Sequence, residues 1–347
     1  MLFEQPFVNK KIPSRQGALQ PVLGDPVARK QMNIGMITNL RSAGNRKYIG
    51  EVRKFLAQNP GIHYGEAVTA SELNAALADF SARELDLLVV NGGDGTAQGV
   101  LTALYGRSIF IRPPVLALLR AGTTSMLARD VGVSGKPSAA LAKIRAWNND
   151  TGLNAQLIHE RPVLKIWQKA DEEPVCGMFF GSGAILRGIE LCHSSMNPNG
   201  VRGELMPGLI MARLVLAGLT GNDKLLPATD MGIRLDKAPA MQNPYLLVLI
   251  STLERLFLGL HPFWGGEAAP LHFTAVKAKY SHVLRNVPFL LRGRRTATVS
   301  PENGFVSHNV RQITLDFRGR FTLDGELFEA RAPLTIEAAG PARFLRI

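Results

Sequence analysis

Cysteine is almost missing from this chain: Cys176 and Cys192 are the two thiols in 347 residues. That excludes a disulfide framework, and their spacing fits no thiolate metal site. Two ordinary thiols suit a reducing cytoplasm. Long apolar runs are missing as well. The longest uncharged stretch, residues 238–253, contains Pro239, Gln242, Asn243 and Pro244, whereas a membrane-crossing helix needs about 20 mostly apolar residues. No compact apolar run follows Lys10, Lys11 and Arg15, so no signal peptide is read. The seven histidines show no metal-type spacing. Acidic residues are few beside basic ones, 28 against 40, for a formal charge of +12. Such a balance suits a polyanionic partner: nucleic acid, an anionic membrane surface or a phosphorylated substrate. The arginines are scattered and form no basic block, which argues against a nucleic-acid tail.

What is present is ample core material, with 46% hydrophobic and 20% charged residues, the balance of a folded protein with two domains. Residues 1–31 are polar and aperiodic and read as an N-terminal extension. Residues 32–152 alternate between strand and helix patterns. Apolar runs at 33–38, 62–68, 85–90 and 115–119 are the strands; amphipathic stretches at 48–58, 71–80, 96–105 and 137–147 are the helices, Ser71 being read as an N-cap. Continuous apolar strands between helices predict a parallel sheet covered on both faces. Beyond a loop at 148–155 the pattern turns to short β-type runs at 164–168, 175–180, 245–251, 271–277, 296–299, 312–317 and 321–323. The predicted fold class is therefore α/β + β: an N-terminal parallel-sheet α/β domain followed by a C-terminal antiparallel β-sandwich-like domain. The second domain spans 153–335 with a helical insertion at 189–219, and 336–347 is a final segment.

The strongest chemical signal is Asn91-Gly92-Gly93-Asp94-Gly95-Thr96 directly after the apolar run 85–90. The glycines remove Cβ atoms where backbone amides must approach an anion, and the following helix N-terminus adds its positive dipole end. Asp94 is placed to orient a metal-bound phosphate or to accept a hydroxyl proton, and Thr96 to cap the helix or bind phosphate. A second reading of the same residues is a tight turn with Asp94 as a helix cap. There is no Gly-x-x-x-x-Gly-Lys-Ser/Thr loop, nor a Gly-x-Gly-x-x-Gly opening the first helix.

Three further patches stand in a fixed order around this one: Thr38-Asn39-Leu40-Arg41-Ser42-Ala43-Gly44, Ala121-Gly122-Thr123-Thr124-Ser125-Met126-Leu127-Ala128, and Asp324-Gly325-Glu326. Together the four patches resemble those of the diacylglycerol kinase catalytic-domain family, which includes bacterial lipid kinases and sphingosine kinases and is distantly related to NAD kinases. The resemblance runs from about residue 33 to the C-terminus. It implies ATP and Mg²⁺ held between two domains, a lipid hydroxyl as acceptor, and a final segment that returns to the first domain. Carried over by motif, Asp94 and Glu326 are the candidate catalytic acids. Asn39, Arg41, Ser42, Gly92, Gly93, Asp94, Gly95, Thr96, Gly122, Thr123, Thr124 and Asp324 are the candidate nucleotide-binding residues; the metal ligands are not identified. Three departures from the family pattern stand out: Ala97, Gln98 and Gly99 follow the glycine motif where the family has an apolar residue, Asn and Glu; Ser125-Met126 replaces an Asn-Asp pair; and Leu40 replaces the proline of the first loop, while Arg41 and Ser42 keep a cation and a hydroxyl.

The function expected from these readings is ATP-dependent phosphorylation of diacylglycerol or a similar lipid, by a cytoplasmic protein that touches anionic membrane peripherally. Two alternatives stay open. One is a soluble small-molecule kinase such as NAD kinase, although the chain has no Asn-Glu dipeptide. The other is a non-catalytic nucleotide- or lipid-binding regulator. A nucleic-acid partner is not expected, and a homodimer is left open. The Leu- and Met-rich stretch 205–219 reads either as an adaptable apolar helix for an acyl chain or as core, and Trp264 as an interfacial anchor or a packing residue.

Overall fold

The computed structural model describes residues 32–149, 155–169, 171–186, 188, 228–281 and 283–347. The expected extension at 1–31 and helical insertion at 189–219 lie outside them. Residues 32–347 form one compact unit.

Its first part alternates strand and helix: β1 (Ile34–Asn39), α1 (Asn45–Ala57), β2 (His63–Ala67), α2 (Ala70–Ser81), β3 (Leu87–Gly92), α3 (Asp94–Leu101), β4 (Val115–Arg120), α4 (Met126–Asp130) and α5 (Pro137–Asn149). The four strands pair in parallel in the order β4-β3-β1-β2. Every residue of β3 is buried, as expected of a strand covered on both faces. One face packs Leu88 and Val90 against Leu73, Leu77 and Phe80 of α2 and Val100 and Leu101 of α3. The other packs Leu87 and Val89 against Val52 of α1 and Leu141, Ile144 and Trp147 of α5. Burying each such side chain contributes about 1.5–3 kcal/mol.

The second part is strand-rich: β5 (Ile158–Trp167), β6 (Val175–Gly177), β7 (Phe179–Gly183), β8 (Thr229–Leu235), β9 (Met241–Ser251), β10 (Leu271–Lys277), α6 (Val283–Leu290), β11 (Phe305–Val310), β12 (Gln312–Asp316), β13 (Gly319–Leu323), β14 (Glu326–Ala330) and β15 (Leu334–Leu345). Their mutual pairings are antiparallel. β15 pairs with β5 and β12 and, at Phe344↔Leu116, in parallel with β4. The mixed sheet is thus continuous from one part to the other, and one apolar cluster runs from α2 and α3 to Met178, Phe179 and Leu249. The α/β + β class is the observed one.

Several local expectations change. The N-cap of α2 is Thr69 and not Ser71: Thr69 Oγ1 accepts from Glu72 N, and Glu72 Oε2 accepts from Thr69 N, a reciprocal capping box. Residues 296–299 form a turn despite their β-branched composition, because the Thr296 and Thr298 hydroxyls both donate to Asn286 Oδ1 at 2.8 Å. The helix expected to reach residue 105 ends at Leu101 and continues as a π-turn, Thr102–Gly106. Trp264 packs against Leu290, Val299 and Phe305, the packing role. No helix among the described residues is long and apolar enough to cross a membrane.

Candidate active site

Parallel strands place their following loops on one edge of the sheet, and three of the four motif patches are such loops: 39–44 after β1, 92–96 after β3 and 121–125 after β4. Ligands of open α/β sheets bind at this edge. Here the loops are tied to one another. Asn39 Nδ2 donates to Thr96 Oγ1 at 2.8 Å, and Gly93 N donates to Ser42 Oγ at 3.2 Å, joining the first loop to the second. Gly44 N donates to Ala121 O at 2.8 Å, joining the first to the third. A Cβ at Gly122 would stand 2.7 Å from Gly93 Cα, so the second and third loops approach at a distance that only glycine allows.

Asp94 completes the tie. Its Oδ2 accepts from Met126 N and its Oδ1 from Leu127 N, both at 3.0 Å. α4 begins after Ser125, which sits in the left-handed region at φ +46 and offers no side-chain cap to the helix. Asp94 supplies that cap from 32 residues away. Burial holds its carboxyl above the usual range, opposed by the two amide bonds and the Arg129 charge. Both of its oxygens are therefore engaged with backbone.

The fourth patch is the β13–β14 hairpin. Asp324 (φ +51) and Gly325 (φ +91) form its two-residue turn, the conformation for which Asp-Gly is favoured. Asp324 is buried (2% exposed) and accepts from Met178 N and Phe179 N, which fixes the turn to β7. Burial pushes its carboxyl well above the usual carboxylate range; the two amides oppose this, while the nearby Asp94 charge adds to it. Glu326 is exposed, and its Oε1 lies directly over Gly95, where any side chain would overlap it. The hairpin thus delivers a carboxylate to the N-terminal turn of α3. No hydrogen bond engages Glu326 among the described residues.

Of the remaining expected residues, Gly92 and Thr96 are in contact, since a Cβ at Gly92 would meet the Thr96 side chain at 2.5 Å. Arg41 and Thr123 are exposed on their loops, and Thr124 O accepts from Arg129 Nε at 3.1 Å. The structure also shows positioning residues that the motifs do not reveal. Buried Asn45 donates through Nδ2 to Asn39 O and Asn91 O, each at 2.8 Å, clamping β1 to β3. Gln98, one of the departures, donates to Thr102 Oγ1 and Cys176 O. It is a tether between α3 and β6, not a group facing the loops. An isolated asparagine and an isolated glutamine carry no sequence signal of such roles.

The arrangement fits a nucleotide triphosphate. The Asp94 and Gly95 amides at the start of α3 lack intrahelical acceptors, and the Ser42 and Thr96 hydroxyls adjoin this turn. No group of three or more His, Cys, Asp or Glu that could cage a metal occurs among the described residues. The carboxylates present fit a Mg²⁺ that keeps phosphate oxygens and water as most of its ligands.

Residues 33–152 match the model of the diacylglycerol kinase catalytic domain. Solved structures agree in fold. A diacylglycerol kinase from Bacillus anthracis str. Sterne superposes with a TM-score of 0.59 at 16% identity, covering 91% of this chain and 98% of that one. A second structure from the same strain gives 0.62 at 18% identity, covering 92% and 97%. No curated protein sequence matches the chain.

Proposed function

We propose that the chain is a lipid kinase, transferring the γ-phosphoryl group of ATP to a hydroxyl of diacylglycerol or a similar lipid. The observation that carries this reading is the meeting of three glycine-containing strand-end loops with the Glu326 carboxylate over Gly95. Phosphoryl transfer asks the protein for positioning and charge neutralisation more than for covalent help. The loops around Ser42, Gly93 and Gly122 bind and orient the phosphates. Bound ATP would supply the transferable phosphoryl group, and Mg²⁺ would neutralise the charge of the phosphates and of the carboxylate at this edge. Between the two candidate acids the geometry favours Glu326 as the base: it is accessible and without a hydrogen-bond partner among the described residues, whereas both Asp94 oxygens hold backbone amides. Glu326 takes the acceptor proton, Asp324 holds the hairpin that presents it, and Asp94 holds the second and third loops together.

The acceptor reaches this site from an anionic membrane surface, to which a chain of charge +12 docks peripherally. The test is incubation with γ-labelled ATP and Mg²⁺ in mixed micelles of diacylglycerol, monoacylglycerol, sphingosine or ceramide. A labelled lipid product is expected. Tight ATP binding with no labelled lipid in any micelle would overturn the reading.

A further inference from the structure

Next to the third loop lies a cavity of about 270 Å³ that the proposed phosphoryl transfer does not use; neither Asp94 nor Glu326 lines it. Four arginines do: Arg120 from the end of β4, Arg129 from α4, and Arg255 and Arg346. Arg120 Nε is buried and has no hydrogen-bond partner among the described residues. Desolvation, and after it the neighbouring Arg129 charge, lower the Arg120 pKa. The acid in the lining, Asp130, already accepts from Glu254 N through Oδ2 at 3.1 Å. Four cations and one carboxylate thus line the cavity, an excess of positive charge that an anion would neutralise. At ~30 Å³ per water molecule, the cavity has room for a group much larger than one water.

The rim is apolar. Leu258 is 59% exposed and sits at φ +57, in the left-handed region that a leucine rarely adopts. Strain of this kind is kept where the surroundings hold it, frequently at ligand sites. Arginines and an exposed leucine in one lining match a phosphate carried on an apolar body.

We propose that the pocket formed by Arg120, Arg129, Arg255 and Arg346, which borders the third loop at Thr124, is an anion site that binds a phosphate group such as that of an anionic lipid. The guanidinium forks bind phosphate oxygens bidentately, and Leu258 lies along the chain that carries the group.

The test uses the full chain, an Arg255→Ala/Arg346→Ala variant, and an Arg311→Ala/Arg318→Ala control that removes the same charge from exposed positions elsewhere. Binding is measured by titration calorimetry with inorganic phosphate and by sedimentation with phosphatidylcholine vesicles containing phosphatidic acid. The pocket variant is expected to bind about thirtyfold more weakly, at about fivefold per arginine, while the control and the ATP affinity stay near wild type. An Arg255→Lys/Arg346→Lys variant keeps the charge and recovers part of the loss. Tighter binding to vesicles identifies a lipid phosphate as the occupant; equal binding of inorganic phosphate identifies a soluble one. Equal losses in the pocket and control variants, or no binding of either probe by the wild type, would overturn the proposal.

Discussion

Asp94 and Glu326 are two acids of one site with different work, and substitution should separate them. Asp94→Asn replaces an acceptor of two amides by a group that can face only one of them correctly. It should cost about 1–3 kcal/mol of stability, read by denaturant unfolding, along with lost turnover. Gly95→Ala should do the opposite. Alanine improves the first turn of α3 by up to about 1 kcal/mol, and the overlap it makes is with the end of an exposed side chain that can turn into solvent, so the melting temperature holds while turnover falls as Glu326 is displaced. Asp324 gives a pH signature. Its folded pKa is raised, mainly by burial, so the native state binds its proton more tightly than the unfolded chain does. Its contribution is complete below the usual carboxylate value of about 3.9 and is lost as pH rises toward the folded pKa. Stability of the wild type relative to Asp324→Asn should therefore decline from pH 4 upward, in unfolding measured across pH. A difference that grows with pH would contradict the assignment.

At the scale of elements, α2 offers a test that leaves the site alone. Thr69→Ala removes one half of the capping box and should cost about 1 kcal/mol, with turnover per folded molecule unchanged. The cap also shows where sequence reading fails. Ser71 and Thr69 are equally good cap residues by type; Glu72, three residues after Thr69, is the distinguishing sign. The parallel strands were legible because burial on both faces makes them unbroken apolar runs, as in Leu87–Gly92. β15 was not: Glu337, Gly340, Pro341 and Arg343 interrupt it, and its identity as a strand comes from pairing with β5, β12 and β4. The site was legible as motifs, since glycines and acids at fixed spacing state their chemistry locally. Which oxygen meets which amide was not, because Asp94 bonds residues of another loop and Asp324 bonds β7, 145 residues away in sequence.

Across the whole molecule, β15 is the strand that makes the sheet continuous, with Phe344 and Ala342 fully buried in the cluster shared by both parts. Ending the chain before Leu334 should abolish cooperative unfolding rather than trim one part, a result readable by calorimetry; a sharp transition retained at near wild-type temperature would contradict it. The same continuity gives the site its precision: the hairpin bearing Glu326 is held to β7, and β7 shares a core with α2 and α3, so the carboxylate and the phosphate loops are fixed to one frame. The most direct test of the account is single-turnover phosphoryl transfer from labelled ATP to micellar lipid by Glu326→Gln, with ATP affinity and melting temperature measured on the same sample. The account predicts wild-type affinity and stability with transfer slowed about 10²–10⁴-fold. Transfer at the wild-type rate would show that the base lies elsewhere and that the carboxylate over Gly95 is not the centre of the site.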